Sequence, residues 1–438
     1  MSKFFIETYG CQMNVAESNA LEAMFYDCGW TMADKPEEAD FAIINTCSVR
    51  KSAENRIWGR LGAYTHIKSQ KTKNGEKFYV VLTGCMAQRL GEEIKKDAPQ
   101  LDAVIGINDK LSIVKLDQSL VSGQSCDSLD SEKYDFTTSY YKKGEFSSYV
   151  PIMNGCNNFC SYCIVPYVRG REVSRCPEQI INEIKMLDSM GVREVTLLGQ
   201  NVNSYSYEAL NFPKLLTMVC KACNNIQWIR FESPHPKDFS DELIDVIARE
   251  PKVAKHLHVP MQSGNTRILE LMNRRYSREK YLALIDSIKS KIPGITFAVD
   301  VMVGFPGETE EEFKETISAM ELVGYIEAYM YYWNPREGTR ACSMEGQMSE
   351  KVKQERLQSL IDWQLANAAK IKATRANGVC DVLVTQVSRD NKKQMLGHNE
   401  HSEMVAFDLK EGCSVVPGDM VRVQLLDLKG NTYIGKQV

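Results

Sequence analysis

Histidine is scarce in this 438-residue chain, six in all, and none falls inside its densest group of cysteines. That scarcity argues against zinc sites of the mixed cysteine–histidine type. No window approaches 18 unbroken apolar residues, and the opening "MSKFFIETYGCQMN" has no basic segment followed by an apolar run of signal-peptide length. We therefore expect a cytoplasmic protein with no membrane partner. Positive charge is not in excess either. The net charge is −4, so no global field recruits nucleic acid, and any RNA contact must come from local patches.

What the chain does have is fourteen cysteines, unevenly clustered. Without a secretory context this points to metal or redox chemistry in place of a disulfide framework. In "NGCNNFCSYCIVPYVRGRE", Cys156, Cys160 and Cys163 form a C-x3-C-x2-C run with no fourth cysteine before Cys176. Iron–sulfur cubanes take one thiolate per iron, so a compact trio leaves one iron open for a reactant. The same distinction separates closed structural zinc sites from open catalytic ones.

Three apolar runs near the start also end in cysteine: "FFIETYGC" at Cys11, "FAIINTC" at Cys47 and "VVLTGC" at Cys85. Their spacing suits successive βα units of a parallel sheet, which would bring all three to the carboxyl edge where such sheets collect ligands. This second trio would leave a second open iron. In "AESNALEAMFYDCGW", Leu21, Met24, Phe25 and Cys28 share one helical face, so Cys28 is expected in the core. Cys220 and Cys223 likewise extend an apolar stripe, and Cys126 is read as a bystander in a polar linker.

From residue 149 strand and helix signals alternate through "YVPIM", "EVTLLG", "WIRFES", "HLHVPM", "ITFAVDVMVGF" and "YIEAYMYYW". Six βα repeats suggest a partial parallel barrel with its site at the strand carboxyl ends. A long helix near 350–375 is expected to turn Val352, Leu357, Leu360, Ile361 and Leu365 toward it. The last segment reads as short strands of a small antiparallel barrel. The expected fold class is α/β. Its divisions are an N-terminal parallel-sheet domain (1–123), a linker (124–148), a partial (β/α)6 TIM-like barrel (149–375) and a small antiparallel β-barrel (376–438).

The C-x3-C-x2-C run, with Tyr162 before its third cysteine and a βα barrel behind it, resembles the radical S-adenosylmethionine (SAM) superfamily. More closely, the whole chain resembles its methylthiotransferase family, through "TYGCQMN", "INTCSVR", "LTGCMAQR", "GCNNFCSYCIVPYVRGREVSR", "LLGQNVNSY", "ESPHP", "VPMQSGNTRILELMNRRY", "VGFPGET" and "NPREGTRA". The wording around Cys11 and between the barrel cysteines is similar to the tRNA-acting branch that methylthiolates C2 of N6-isopentenyladenosine. The branches acting on threonylcarbamoyladenosine tRNA or a ribosomal protein side chain are the alternatives, and a non-catalytic iron–sulfur protein is a third.

The resemblance implies two [4Fe-4S]-type clusters: one that cleaves SAM, held by Cys156, Cys160 and Cys163, and an auxiliary one held by Cys11, Cys47 and Cys85. It implies two SAM molecules per product, one as methyl donor and one as source of the 5′-deoxyadenosyl radical. Tyr162, Gln200, Ser233, Gln262 and Phe305 would line the SAM pocket by their place in the fold. The implied partners are the tRNA anticodon stem-loop carrying isopentenyladenosine and an electron donor such as flavodoxin or ferredoxin, with the chain a monomer. Arg169, Arg171 and Arg175 are candidate phosphate contacts, with Tyr140, Tyr141, Lys142 and Lys143 as further RNA contacts. The last domain would be a TRAM domain, but Gly397, His398 and Asn399 stand where the family usually reads Gly-Arg-Thr.

Overall fold

The computed structural model describes residues 2–48, 51–110, 112–116, 134–136, 141, 144–389, 391 and 394–438. Most of the expected linker lies outside these residues, with Cys126, Tyr140, Lys142 and Lys143. The chain divides into two units. Unit one holds 1–142, 149–157 and 163–175; unit two holds 143–148, 158–162 and 176–438.

Unit one carries a five-stranded parallel sheet of β1 (Lys3–Thr8), β2 (Thr31–Met32), β3 (Phe41–Thr46), β4 (Tyr79–Gly84) and β5 (Ala103–Ile105), in the order β2-β1-β3-β4-β5. β3 is buried at every position, as a strand covered on both faces must be. On one face Ala42, Ile44, Val80 and Leu82 meet Ile57, Leu61 and Tyr64 of the helix Lys51–Lys73. On the other, Phe4, Phe41 and Ile43 meet Leu21 and Phe25 of the helix Gln12–Asp27. Phe25 stacks on Phe4 with centroids 4.8 Å apart. Truncating such an enclosed ring costs about 3–5 kcal/mol.

The cysteine run departs from a short antiparallel pair, β7 (Met153–Asn154) with β8 (Val173–Ser174), both in unit one. The strand before it, β6 (Ser147–Pro151), straddles the two units. Unit two contains parallel β9 (Glu194–Leu198) and β12 (Trp228–Phe231), and parallel β13 (His256–His258), β14 (Thr296–Val303) and β15 (Glu327–Tyr332). Between the two groups, residue 253 bridges Ile229. A small hairpin, β10 (Ser206–Tyr207) with β11 (Leu210–Asn211), precedes the helix Phe212–Ala222. Helix starts follow side-chain capping: Ser240, Asn265, Ser277 and Thr309 each accept a backbone N–H of the first turn.

The chain ends in a closed barrel of β16 (Val379–Val387), β17 (Gln394–Asn399), β18 (Met404–Asp408), β19 (Met420–Lys429) and β20 (Thr432–Gln437). It is antiparallel except where β18 runs parallel to β20, a seam the expected all-antiparallel barrel did not include. Its Leu383 packs with Trp228 and Ala254.

Two expectations need correction. Cys28 is exposed at the C-terminal cap of its helix. In the helix Glu350–Ala373, Leu365 is 53% exposed and Val352 38%, while Lys353, Leu360, Gln364 and Ala368 are buried. That helix is anchored by polar tips: Lys353 Nζ donates to the Trp333 carbonyl (3.1 Å) and Gln364 Nε2 to that of Tyr325 (2.9 Å). Among the described residues no helix is long and apolar enough to cross a membrane.

Candidate metal centres

Each N-terminal cysteine follows a strand of the five-stranded sheet. Cys11 caps the helix after β1, Cys47 follows β3, and Cys85 opens the helix Cys85–Leu90 directly after β4. Two glycines allow the approach. A Cβ at Gly10 (φ +147°) would sit 2.5 Å from the Cys47 Cβ, and one at Gly84 (φ +91°) 2.3 Å from the Thr46 carbonyl oxygen. Asn14 and Asn45 brace the strand ends: Asn14 Nδ2 donates to Asn45 Oδ1 (3.0 Å) and Asn45 Nδ2 to the Asn14 carbonyl (2.9 Å). The Cys11 thiol lies 3.3 Å from Asn14 Oδ1.

Cys11 and Cys47 are neighbours. A hydrogen bond from Cys47 is the main cause holding the Cys11 thiol at about 6, and the Arg169 charge adds to it. Cys85 moves the other way, because burial raises its thiol more than the Arg169 charge lowers it. Cys47 and Cys85 are buried and Cys11 is at the surface.

Arg169 and Arg175 are not at the surface, contrary to their expected phosphate-binding role; they are 6% and 2% exposed, and only Arg171 is exposed. Arg175 Nη1 donates to the Pro151 carbonyl at 3.2 Å. Arg169 donates to both Glu17 oxygens (2.9 and 3.3 Å) and to Asn154 Oδ1 (2.9 Å). Lys110 reaches the same Glu17 at 2.9 Å. Burial alone would raise the Glu17 carboxyl, but the two cations overcome it and hold it at about 2.

In the C-x3-C-x2-C run, Cys156 and Cys163 belong to unit one and Cys160 to unit two. The Cys156 N–H donates to the Gly170 carbonyl (3.1 Å), closing the loop on β7 and β8. In unit two, the Ser161 N–H donates to the Met272 carbonyl (3.0 Å), and Asn273 Nδ2 donates to the Phe159 carbonyl (2.9 Å). Arg274 is buried, and its Nη1 lies 3.4 Å from both Cys160 Sγ and Tyr162 Oη. It also donates to Tyr276 Oη (3.0 Å) and the Pro260 carbonyl (2.9 Å). Arg274 was missed at the sequence level, although "MNRRY" was in view.

Of the expected SAM-pocket residues, Gln200, Ser233, Gln262 and Phe305 follow strand carboxyl ends, and Tyr162 lies in the cysteine loop. Gln200 follows β9 and Ser233 follows β12, both half-buried, Ser233 with φ +60°. Gln262 (φ +69°) is tied to β14, its N–H donating to the Asp300 carbonyl (2.8 Å). Phe305 is fully buried against Trp333, centroids 5.7 Å apart, in a cluster that Tyr162 joins. Glu308 braces the same turn by accepting the Gly304 N–H at 2.7 Å. Burial pushes its carboxyl up to about 7 against that bond and the Arg356 charge. His398 is half-buried and Asn399 buried, on opposite faces of β17. His398 Nε2 pairs with Glu194 (3.0 Å), and Asn399 Nδ2 donates to Glu403 (3.0 Å).

Among the described residues, no three His, Cys, Asp or Glu side chains converge closely enough for a single metal ion. A four-iron cluster places each thiolate on a different iron and so suits more widely spaced sulfurs. The N-terminal donor set is all thiol, its one neighbouring carboxylate is occupied by two cations, and buried positive charge stands beside it. These features fit an anionic iron–sulfur cluster.

Residues 150–320 match the radical SAM superfamily, and residues 3–106 match the uncharacterized protein family UPF0004. A tRNA-2-methylthio-N(6)-dimethylallyladenosine synthase of Treponema denticola is 44% identical over 98% of this chain and 98% of its own. The chain belongs to that family, the MiaB branch of the radical SAM methylthiotransferases. The same-named protein of Fusobacterium nucleatum is 39% identical over the whole of both chains. In fold, the chain is similar to the radical SAM methyltransferase TsrM of Kitasatospora setae. It is 14% identical with a TM-score of 0.59, over 75% of this chain and 73% of that one.

Proposed function

We propose that this chain inserts sulfur and a methyl group at C2 of N6-isopentenyladenosine beside the tRNA anticodon. One SAM would serve as methyl donor and one as the source of a 5′-deoxyadenosyl radical. The observation that carries the reading is full-length similarity, at 39–44% identity, to proteins named for that reaction. The relatives give no support to a threonylcarbamoyladenosine or protein substrate.

In this reading Cys156, Cys160 and Cys163 hold the SAM-cleaving cluster, and Cys11, Cys47 and Cys85 the auxiliary one. Bound together, cluster and SAM supply the one-electron cleavage that makes the radical, and the protein supplies position and exclusion of water. Arg274 fixes the orientation of Cys160 and Tyr162 through its fork of donors. Glu308 holds the turn carrying Phe305, and Gln262, braced on β14, holds the neighbouring rim for the bound SAM. Asn14 and Asn45 lock the strand ends that present Cys11 and Cys47. The target base must leave the anticodon stack to reach such a site, which an exposed loop base does at low cost. The reading divides the chain at 1–123, 149–375 and 376–438, with the last part a TRAM domain contributing to RNA binding. The electron would come from a flavodoxin or ferredoxin, with the chain acting as a cytoplasmic monomer.

The test is mass spectrometry of nucleosides from isopentenyladenosine-containing tRNA treated with the reconstituted protein, SAM, a reductant and sulfide. The 2-methylthio nucleoside is expected. Unchanged tRNA beside full 5′-deoxyadenosine formation would contradict the assigned substrate.

A further inference from the structure

Glu17, Lys110 and Arg169 are 2%, 8% and 6% exposed, so one carboxylate and two cations are closed off from water together. The contacts leave no doubt about their pairing. Glu17 accepts from Arg169 and Lys110, each at 2.9 Å, and Tyr134 Oη donates to it at 3.1 Å. Lys110 Nζ also donates to Tyr134 Oη (2.9 Å) and lies 4.4 Å from that ring's centroid. Among these three side chains one positive charge is in excess. Arginine is not deprotonated in proteins, and an isolated buried charge costs several kcal/mol, so an anion must answer it. Cys85 packs against Ile164 and Val168, the residue before Arg169, and the Arg169 charge acts on both Cys85 and Cys11.

A four-iron, four-sulfide core in its dipositive state, held by three thiolates, carries one net negative charge, which balances the surplus. We propose that Arg169, backed by Lys110, is the built-in counter-cation of the auxiliary cluster, a positioning residue that sets its charge state and reduction potential. The inference rests on the reading that Cys11, Cys47 and Cys85 hold that cluster. It gives Arg169 an internal task in place of phosphate binding. Cluster potentials follow local net charge and hydrogen bonds to sulfur, so removing a buried cation disfavours reduction and removing a buried anion favours it.

The experiment uses the full chain with Cys156, Cys160 and Cys163 replaced by Ala, leaving only the auxiliary cluster, reconstituted with iron and sulfide. Its iron content is measured, and its potential is read by EPR-monitored redox titration. In this background Arg169→Gln should lower the reduced-to-oxidised ratio at fixed poise at least tenfold, about 59 mV for one electron. Lys110→Gln should lower it less, Glu17→Gln should raise it, and Arg169→Lys should stay near the parent. Opposite shifts on removing opposite charges are not produced by loosened packing alone. Equal potentials, or shifts of one sign for Arg169→Gln and Glu17→Gln, would overturn the proposal. Should Arg169→Gln take up no cluster, the signs of Lys110→Gln and Glu17→Gln decide. A parent that binds no iron would instead overturn the assignment of the three cysteines.

Discussion

Cys11, Cys47 and Cys85 come from three separate strand ends, whereas Cys156, Cys160 and Cys163 come from a single loop. The first trio exists only once a parallel sheet has formed, and its geometry is that of β1, β3 and β4 with their bracing asparagines. The second is preset by chain connectivity and then pinned by local bonds, such as that from the Ser161 N–H to Met272. Each has a buried arginine whose charge reaches a cysteine, and the two differ in partners. Arg169 is shared with a carboxylate, while the hydrogen bonds of Arg274 go to two tyrosine hydroxyls, a carbonyl and a thiol. The contrast teaches that a cysteine trio is one half of a site, and that the buried cation is the other.

The comparison is broken most directly by deleting one sulfur from each side. Cys160→Ala should reduce 5′-deoxyadenosine formation to background, measured by chromatography of the reduced protein with SAM. Cys47→Ala should leave that cleavage intact while abolishing the methylthio nucleoside. If the two variants lose the same activity, the trios do not have separate tasks.

Arg274→Met is the next largest effect. It removes the donor bonds of a buried guanidinium to Pro260, Tyr162 and Tyr276, so the apo-protein should lose about 3 kcal/mol in urea unfolding. Arg274→Lys, which keeps the charge without the fork, should fall between the two.

A second buried cation of unit two sharpens the point, because it does have carboxylates. His258 lies 3.2 Å from Glu232 and 3.1 Å from Asp300. Burial would lower its imidazole, but those two bonds raise it to about 10. A raised folded value means its stabilisation is whole below the unfolded value of about 6.5 and is lost as pH climbs toward 10. Apo-protein stability should therefore drop over that window, by up to a few kcal/mol, and His258→Gln should flatten the slope in urea titrations at several pH values. At the other extreme, Cys28→Ser at an exposed cap should change stability by less than about 0.5 kcal/mol and leave iron content unaltered.

The parallel sheet and the strand-end cysteines were legible because apolar runs ending in cysteine recur at nearly equal spacing. The partners of those cysteines were not. Asn14, Asn45, Glu17 and Arg169 are polar residues whose burial depends on long-range pairing, and a polar residue in sequence reads as surface until its partner is known. Arg169 and Arg175 read as phosphate contacts in the sequence for that reason. The helix Glu350–Ala373 misled in the opposite sense, since Lys353 and Gln364 occupy its buried face while Leu365 is outside. β17, "QMLGHN", lacks any β-branched residue, and its strand is imposed by closure between β16 and β18.

The division into two sites of three is tested most directly by iron and sulfide content and EPR of two triple variants, with and without SAM. Replacing Cys11, Cys47 and Cys85 with Ala should leave one four-iron cluster whose signal changes when SAM is added. Replacing Cys156, Cys160 and Cys163 should leave one whose signal does not. Two full clusters in either variant, or a SAM response confined to the second, would contradict the account.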